Sequence, residues 1–190
     1  MENARKTHRI LGVDPGTNIM GYAVIEVQLR PTKLRLIDID VLHMKNEPEA
    51  YMKLKHIFDQ IQKIILEHKP DVMAIEAPFF GKNVQSMLKL GRAQGVAIAA
   101  AMARGIEVIE YSPKKIKQSV TGNGNASKEQ VAAMLSTIMQ EPLTEQYADA
   151  TDALATAVCH HFQGNSSGVG ATKKYSSWEQ FAKDKQDRIK

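Results

Sequence analysis

Four acidic residues occupy positions where side chains of an α/β protein can meet. Asp14 directly follows the apolar run 10–13, and Glu76 directly follows the apolar run 72–75. Each run is typical of a short buried strand, so each carboxylate is expected at a strand end. Asp149 and Asp152 lie three residues apart in an alanine-rich helical segment, which places both on one helix face. We therefore expect all four carboxylates to converge at one edge of a sheet.

Convergence of four carboxylates makes divalent-metal chemistry the leading functional hypothesis. Neighbouring carboxylates repel one another, and a buried carboxylate needs a cation or hydrogen-bond donors. Mg²⁺ prefers oxygen ligands, and two such ions about 3.5–4 Å apart can activate a water and stabilise the leaving oxygen of a phosphodiester. Zinc is not indicated, because Cys159, His160 and His161 are consecutive and cannot face one point on a helix. Each acid alone also fits a turn, a cap or a solvated helix face.

The hydrophobic pattern predicts the elements that must position these acids. Strands are predicted at 10–13, 21–25, 33–44, 72–75 and 106–111, and helices at 50–68, 84–104, 114–120, 127–140 and 145–162. Three strands followed by alternating helices and strands predict an α/β fold with a five-stranded mixed sheet flanked by helices. The third strand changes phase between Leu36 and Ile37, which predicts an irregularity. The connection before it is expected to exceed a two-residue turn.

Composition and charge narrow the class of protein. The chain has 190 residues, 43% hydrophobic, which suits one domain with a core. We expect a nuclease domain at 1–163 and a flexible, basic tail at 164–190. The net charge of +4 divides into +2 at 1–9, +3 at 173–190 and −1 between them, so DNA binding would need local lysine patches. One cysteine, a polar start and no long apolar run predict a cytoplasmic protein without a membrane span.

Four segments together resemble the RuvC family of bacterial Holliday-junction resolvases over about residues 9–162. The segments are 10–17 followed by Gly21 and Tyr22, 74–76 followed by Phe79 and Lys82-Asn83, 88–95, and 148–155. The first segment alone is shared by many ribonuclease H-like and actin-like proteins, whereas all four in this order are specific. The chain departs from the family pattern after Gly164.

The resemblance implies a ribonuclease H-like fold and a homodimer that nicks two opposing strands of a four-way DNA junction symmetrically. It implies that Asp14, Glu76, Asp149 and Asp152 are the catalytic metal ligands, holding two Mg²⁺ per site with Mn²⁺ able to substitute. It also implies the RuvA junction-binding protein and the RuvB branch-migration motor as partners.

Three further residues are candidate DNA contacts. Phe79 follows Glu76 closely, and an aromatic ring beside a phosphodiester site can stack on or wedge between bases. Lys117 and Lys128 flank a Gly/Asn-rich loop, where lysines can clamp phosphates; both match basic family positions. The helix at 84–104 is apolar or small nearly all round, so part of it is expected in a two-fold contact.

Three alternatives remain open on the residues alone. An ATP-binding protein of the actin or sugar-kinase type also begins with a strand and an Asp-x-Gly-Thr turn, but that fold needs two such domains. A non-catalytic DNA-structure binder would not need all four acids. A ribonuclease H-like nuclease acting on an RNA–DNA hybrid or linear DNA would share the carboxylate chemistry, and only the resemblance separates it from a resolvase.

Overall fold

The computed structural model describes residues 7–29, 31–45, 47, 49–78, 83–143 and 150–165. Within them, strands and helices follow in the predicted order β-β-β-α-β-α-β-α-α-α. The elements are β1 (Thr7–Asp14), β2 (Ile19–Leu29), β3 (Thr32–His43), α1 (Ala50–His68), β4 (Val72–Glu76), α2 (Val84–Met102), β5 (Glu107–Tyr111), α3 (Pro113–Thr121), α4 (Lys128–Met139) and α5 (Thr151–Asn165). The helix at α5 extends three residues beyond its predicted end, and its predicted start lies outside the described residues.

The strands form the five-stranded mixed sheet that the sequence predicts, in the order β3-β2-β1-β4-β5. β1 is antiparallel to β2 and parallel to β4, which is itself parallel to β5. Because β1 and β4 are parallel and run side by side, their carboxyl ends meet at one edge of the sheet. This edge is where the fold can assemble a site.

The β2–β3 hairpin confirms one prediction and contradicts another. Val24 pairs with Asp38, whereas Ile25 pairs with Leu36, so Ile37 is the extra residue of an irregularity at the predicted phase change. The connection is shorter than predicted, since Leu29 pairs with Thr32. Backbone pairing continues through the polar, exposed ends of both strands, and an apolar pattern cannot detect that extension.

Two apolar layers cover the two faces of the sheet. Alternate residues of β1 enter different layers: Ile10 packs with the layer that includes α5, and Leu11 packs with the layer that includes α1 and α2. This period of two is the ordinary consequence of strand geometry. It also places Gly12 and Asp14, which share the phase of Ile10, on the α5 face. None of the described helices is long and apolar enough to cross a membrane.

Local capping fixes the starts of the two helices that contain the candidate lysines. The hydroxyl of Ser112 accepts a hydrogen bond from the N–H of Lys115, and Pro113 opens α3. Ser127 and Gln130 form the predicted capping box at the start of α4, with each side chain bonded to the backbone of the other residue. Such caps satisfy N–H groups that lack partners within the helix, so both starts are well defined.

Gly12 sets how closely α5 approaches the sheet. A Cβ added at Gly12 would lie 2.1 Å from the carbonyl oxygen of Ala153 and 2.9 Å from the Cβ of Ala157. Only a residue without a side chain allows this separation, and small residues on α5 complete the contact. Because Asp152 directly precedes Ala153, the same contact determines how far the Asp152 carboxylate lies from the sheet edge.

Replacing Gly12 by Ala should destabilise the protein by about 1–3 kcal/mol, because β1 and α5 must separate to admit the methyl group. Urea unfolding followed by circular dichroism measures this loss. Gly164→Ala is the matched control, since a Cβ there meets no described atom within 4 Å, and it should leave stability unchanged or slightly higher. Equal stabilities for Gly12→Ala and the unmodified protein would contradict the tight contact.

Candidate active site

Asp14 and Glu76 lie at the ends of two paired parallel strands. Val13 pairs with Ile75 in the β1–β4 ladder, so the next residue on each strand is an acid at the same level of the sheet edge. Glu76 is further fixed by backbone pairing with Tyr111 of β5. Two of the four predicted carboxylates are therefore brought together by backbone register alone.

Asp152 approaches the same edge from the first turn of α5. Its backbone carbonyl accepts a hydrogen bond from the Thr156 hydroxyl at 2.8 Å, within the helix that packs on Gly12. A negative side chain in the first turn is favoured by the helix dipole. Asp149, the fourth predicted ligand, lies outside the described residues.

Burial and mutual repulsion disturb the acid–base behaviour of the two strand-end carboxylates. Burial raises the pKa of Asp14 to about 6, with a further increase from the nearby Asp152 carboxylate and an opposing effect of Lys128. Burial raises the pKa of Glu76 to about 8, and Asp14 and Asp152 raise it further, whereas Lys128 and Lys117 lower it. Because these carboxylates lie close together, either protonation of one of them or binding of a cation between them is favoured.

Both predicted DNA-binding lysines lie with the carboxylates. Lys128 begins α4, and its Nζ donates to Oδ2 of Asp152 at 2.7 Å, although 77% of its side chain is exposed. That hydrogen bond is the main cause of the raised pKa of Lys128. Lys117 of α3 joins Lys128, Glu76 and Asp152 in the lining of an open cleft of about 270 Å³. The cleft thus combines acids with cations suited to a phosphate.

One polar residue near the site was missed by the sequence analysis. Gln94 is buried in α2, and its amide donates to the backbone carbonyl of Glu76 at 3.4 Å and to Oε2 of Glu110 at 2.9 Å. It ties the end of β4 to α2. A glutamine among the apolar residues on the inner face of α2 was the available signal, because a buried amide requires partners. Phe79, the predicted aromatic contact, lies outside the described residues.

The donor set fits a hard divalent cation. Asp14, Glu76 and Asp152 supply only oxygen atoms, which suits Mg²⁺ or a similar ion and not zinc. Within the described part of the chain, no three Asp, Glu, His or Cys side chains already stand in a metal-binding arrangement. Asp152 instead pairs with the Lys128 ammonium, and burial, with repulsion from neighbouring carboxylates, raises the pKa of the other two acids.

Comparison with known proteins identifies the family to which the chain belongs. The family model described as "Crossover junction endodeoxyribonuclease RuvC" matches residues 10–160. The chain belongs to the RuvC family. A RuvC protein of Cytophaga hutchinsonii is 55% identical over 181 residues, covering 95% of this chain and 88% of that protein.

Solved RuvC structures share the fold. Thermus thermophilus RuvC matches with a TM-score of 0.76 and 29% identity, covering 84% of this chain and 96% of that one. T. thermophilus RuvC in complex with a Holliday junction substrate matches with a TM-score of 0.74 and 27% identity, covering 83% and 95%. The RuvC resemblance and the ribonuclease H-like fold are therefore confirmed, and the chain has the family's crossover junction endodeoxyribonuclease activity.

Glu76→Gln should stabilise the metal-free protein increasingly as the pH rises. Folding raises the pKa of Glu76 from 4.5 to about 8, so between these values the folded protein retains a proton that the unfolded chain has released. Stability is therefore lost as the pH rises through this window, and the neutral amide escapes the loss. Thermal unfolding in EDTA should show a midpoint difference that grows towards pH 8, by about 2–4 °C for each kcal/mol.

Glu141→Gln provides the control for this titration, because Glu141 is an exposed carboxylate outside the cleft. It should shift the midpoint little at any pH. A Glu76→Gln midpoint below that of the unmodified protein, or a midpoint difference that does not change with pH, would show that folding does not raise the pKa of Glu76.

Proposed function

We propose that this chain resolves four-way DNA junctions by metal-dependent, symmetric nicking of two strands during recombination and repair. The observation that supports this most is a single cleft where Glu76 and Asp152 meet Lys117 and Lys128, with Asp14 electrostatically coupled to both acids. That cleft lies in a RuvC-family fold, and a 27% identical RuvC has been solved with a Holliday junction substrate.

Four carboxylates are proposed as the catalytic metal ligands: Asp14, Glu76, Asp152 and, from outside the described residues, Asp149. RuvC-family membership implies a divalent metal; the further proposal is Mg²⁺, two ions per site, with Mn²⁺ able to substitute. The all-oxygen donor set supports this choice. When bound, Mg²⁺ would supply positive charge that offsets the charge developing on the phosphodiester.

The protein's own groups bind and orient the DNA in this proposal. Lys117 and Lys128 hold phosphates next to the carboxylates, and the exposure of Lys128 leaves it free to turn from Asp152 to a phosphate. Gln94 holds the strand end that presents Glu76. Phe79 is proposed to stack on or wedge between bases at the distorted step, because it follows Glu76 by three residues.

RuvC membership argues against the other functions considered from the sequence. It favours a DNA junction over an RNA–DNA hybrid, and a nuclease over an ATP-binding protein or a non-catalytic binder. We also propose a cytoplasmic location. The nuclease domain is proposed to span residues 1–163, with residues 164–190 as a separate, basic segment. The family model ends at residue 160, near this boundary, whereas the Cytophaga hutchinsonii relative aligns over 95% of the chain.

Asp14→Asn should lower the rate of junction cleavage by about 100-fold or more while junction binding survives. The reason is that a metal ligand contributes to chemistry more than to phosphate contacts. The assay uses a mobile four-way junction in Mg²⁺, with linear duplex and RNA–DNA hybrid of equal length. Asp59→Asn, an exposed acid of α1, is the matched control and should cleave normally. Full cleavage by Asp14→Asn would overturn the ligand assignment, and preferential cutting of the hybrid would overturn the substrate.

We propose that the chain acts as a homodimer, with one face of α2 as the contact. The exposed residues of this face are apolar or small along the whole helix: Val84, Leu88, Gly91, Gly95, Ala99 and Met102. A Cβ added at Gly91 or Gly95 meets no described atom within 4 Å, so a second backbone can approach closely. Two-fold pairing would present two active sites to one junction. RuvA and RuvB are proposed as further partners that deliver and move the junction.

Gly95→Arg should convert the dimer to a monomer and reduce paired nicking, because a long charged side chain would separate the two helices. Light scattering at micromolar concentration measures the mass, and a cruciform plasmid distinguishes single from paired nicks. Gly164→Arg is the control, because it adds the same side chain at an exposed α5 position. A dimer that persists in Gly95→Arg would show that the contact lies elsewhere.

A further inference from the structure

A second basic groove lies outside the carboxylate cleft. It has a volume of about 320 Å³ and runs between the β1–β2 connection, the start of α1 and the first half of α2. The polar residues that line it are Thr17, Asn18, Tyr51, Lys53, Lys89 and Arg92. Apolar residues of α1 and α2 form its floor, including the buried Ile57 and Ala93.

The charged residues that line this groove are all positive. Lys53, Lys89 and Arg92 line it, and no Asp or Glu is among the described residues that do so. Two nearby acids have other partners, since Glu47 pairs with His56 and Asp59 with Lys55, and Glu49, at the start of α1, is not among the lining residues. Three cations converging on a concave surface in the nearly neutral middle of the chain indicate an anionic occupant.

The polar groups are arranged to present donors. Nζ of Lys53 donates to Oδ1 of Asn18 at 2.7 Å, which fixes the amide so that its NH₂ remains available. The N–H of Met44 donates to the backbone carbonyl of Asn18 at 2.8 Å, so this connection is anchored to the end of β3. Lys89 and Arg92 are exposed and lie one helical turn apart on α2. Long side chains at this spacing can reach neighbouring phosphates of a nucleic acid.

The groove opens at the same edge of the sheet as the carboxylates. Thr17 follows Asp14 by three residues, and α2 is the element that follows Glu76 along the chain. The groove lies on the α1/α2 face, whereas Lys117 and Lys128 lie on the α5 face. A nucleic acid that reaches the carboxylates thus meets cations on both sides of the sheet edge.

We propose that this groove binds the sugar–phosphate backbone of a junction arm next to the strand that is cut. The inference rests on the proposed function, and it adds a second phosphate-binding site to the one at Lys117 and Lys128. Lys89 and Arg92 contact successive phosphates, and Lys53 with Asn18 forms the inner wall. The proposed site contacts phosphates and no base edges. Its contribution to affinity is therefore independent of DNA sequence and depends on salt concentration.

The test is junction affinity as a function of salt, measured in EDTA so that no strand is cut. The double variant Lys89→Ala/Arg92→Ala should lose about tenfold or more in affinity at low salt, and the slope of log Kd against log salt should fall by about 2. Lys33→Ala/Lys63→Ala removes two exposed cations from outside the groove and should change neither. The charge-conserving Arg92→Lys should keep most of the affinity.

Three results would overturn the inference. The first is a Lys89→Ala/Arg92→Ala variant with the slope and affinity of the unmodified protein. The second is an equal loss in the Lys33→Ala/Lys63→Ala control, which would show a general charge effect. The third is an affinity loss accompanied by dissociation to monomers in light scattering, which would assign the groove to a second protein copy.

Failure of the proposed function has a different signature. In that case the unmodified protein cuts no junction in Mg²⁺, whatever the groove variants do. The groove is then tested by the same salt titration on linear duplex, where a slope lowered by about 2 supports a phosphate site and an unchanged slope overturns it.

Discussion

Asp14, Glu76 and Asp152 repel one another, because strand register and helix packing hold them together at one partly buried edge. Nothing in local backbone preference favours this arrangement. The β1–β4 ladder places two of the acids, and the contact of α5 with Gly12 places the third. Burial, together with repulsion between the carboxylates, raises the pKa of Asp14 and Glu76, so a nearby positive charge stabilises the ionised form of each.

In the metal-free protein, lysine side chains supply part of the positive charge that stabilises these carboxylates. Lys128 pairs with Asp152 and lowers the pKa of both other acids, and Lys117 acts on Glu76. A flexible ammonium is a weak substitute for a divalent ion, because it carries one charge and only donates hydrogen bonds. The same lysines are suited to phosphates. If Asp152 held a divalent metal, Lys128 would be left to contact DNA, so metal and DNA binding would support each other.

Sequence patterns predicted what depends on local periodicity and strand ends. The element order, the positions of Asp14 and Glu76, the capping box at Ser127 and the phase change near Ile37 all follow from spacing along the chain. The length of the β2–β3 turn was predicted wrongly, because backbone pairing extends where side chains are polar. The role of Gly12 depends on its contact with Ala153, 141 residues away, and the role of Gln94 on its hydrogen bond to Glu110, 16 residues away. Periodicity along the sequence does not reveal either contact. The proposed roles of Asp149 and Phe79 stay predictions.

Charge distribution explains why the groove was also beyond sequence analysis. Residues between the two basic ends of the chain are nearly neutral, so average charge gives no reason to expect a binding surface there. Lys53 and Arg92 are far apart in sequence and become neighbours only because α1 packs on α2. A near-neutral domain can bind a polyanion when its cations line concave surfaces and its acids are paired or lie elsewhere. Binding strength is then a property of the fold and not of the composition.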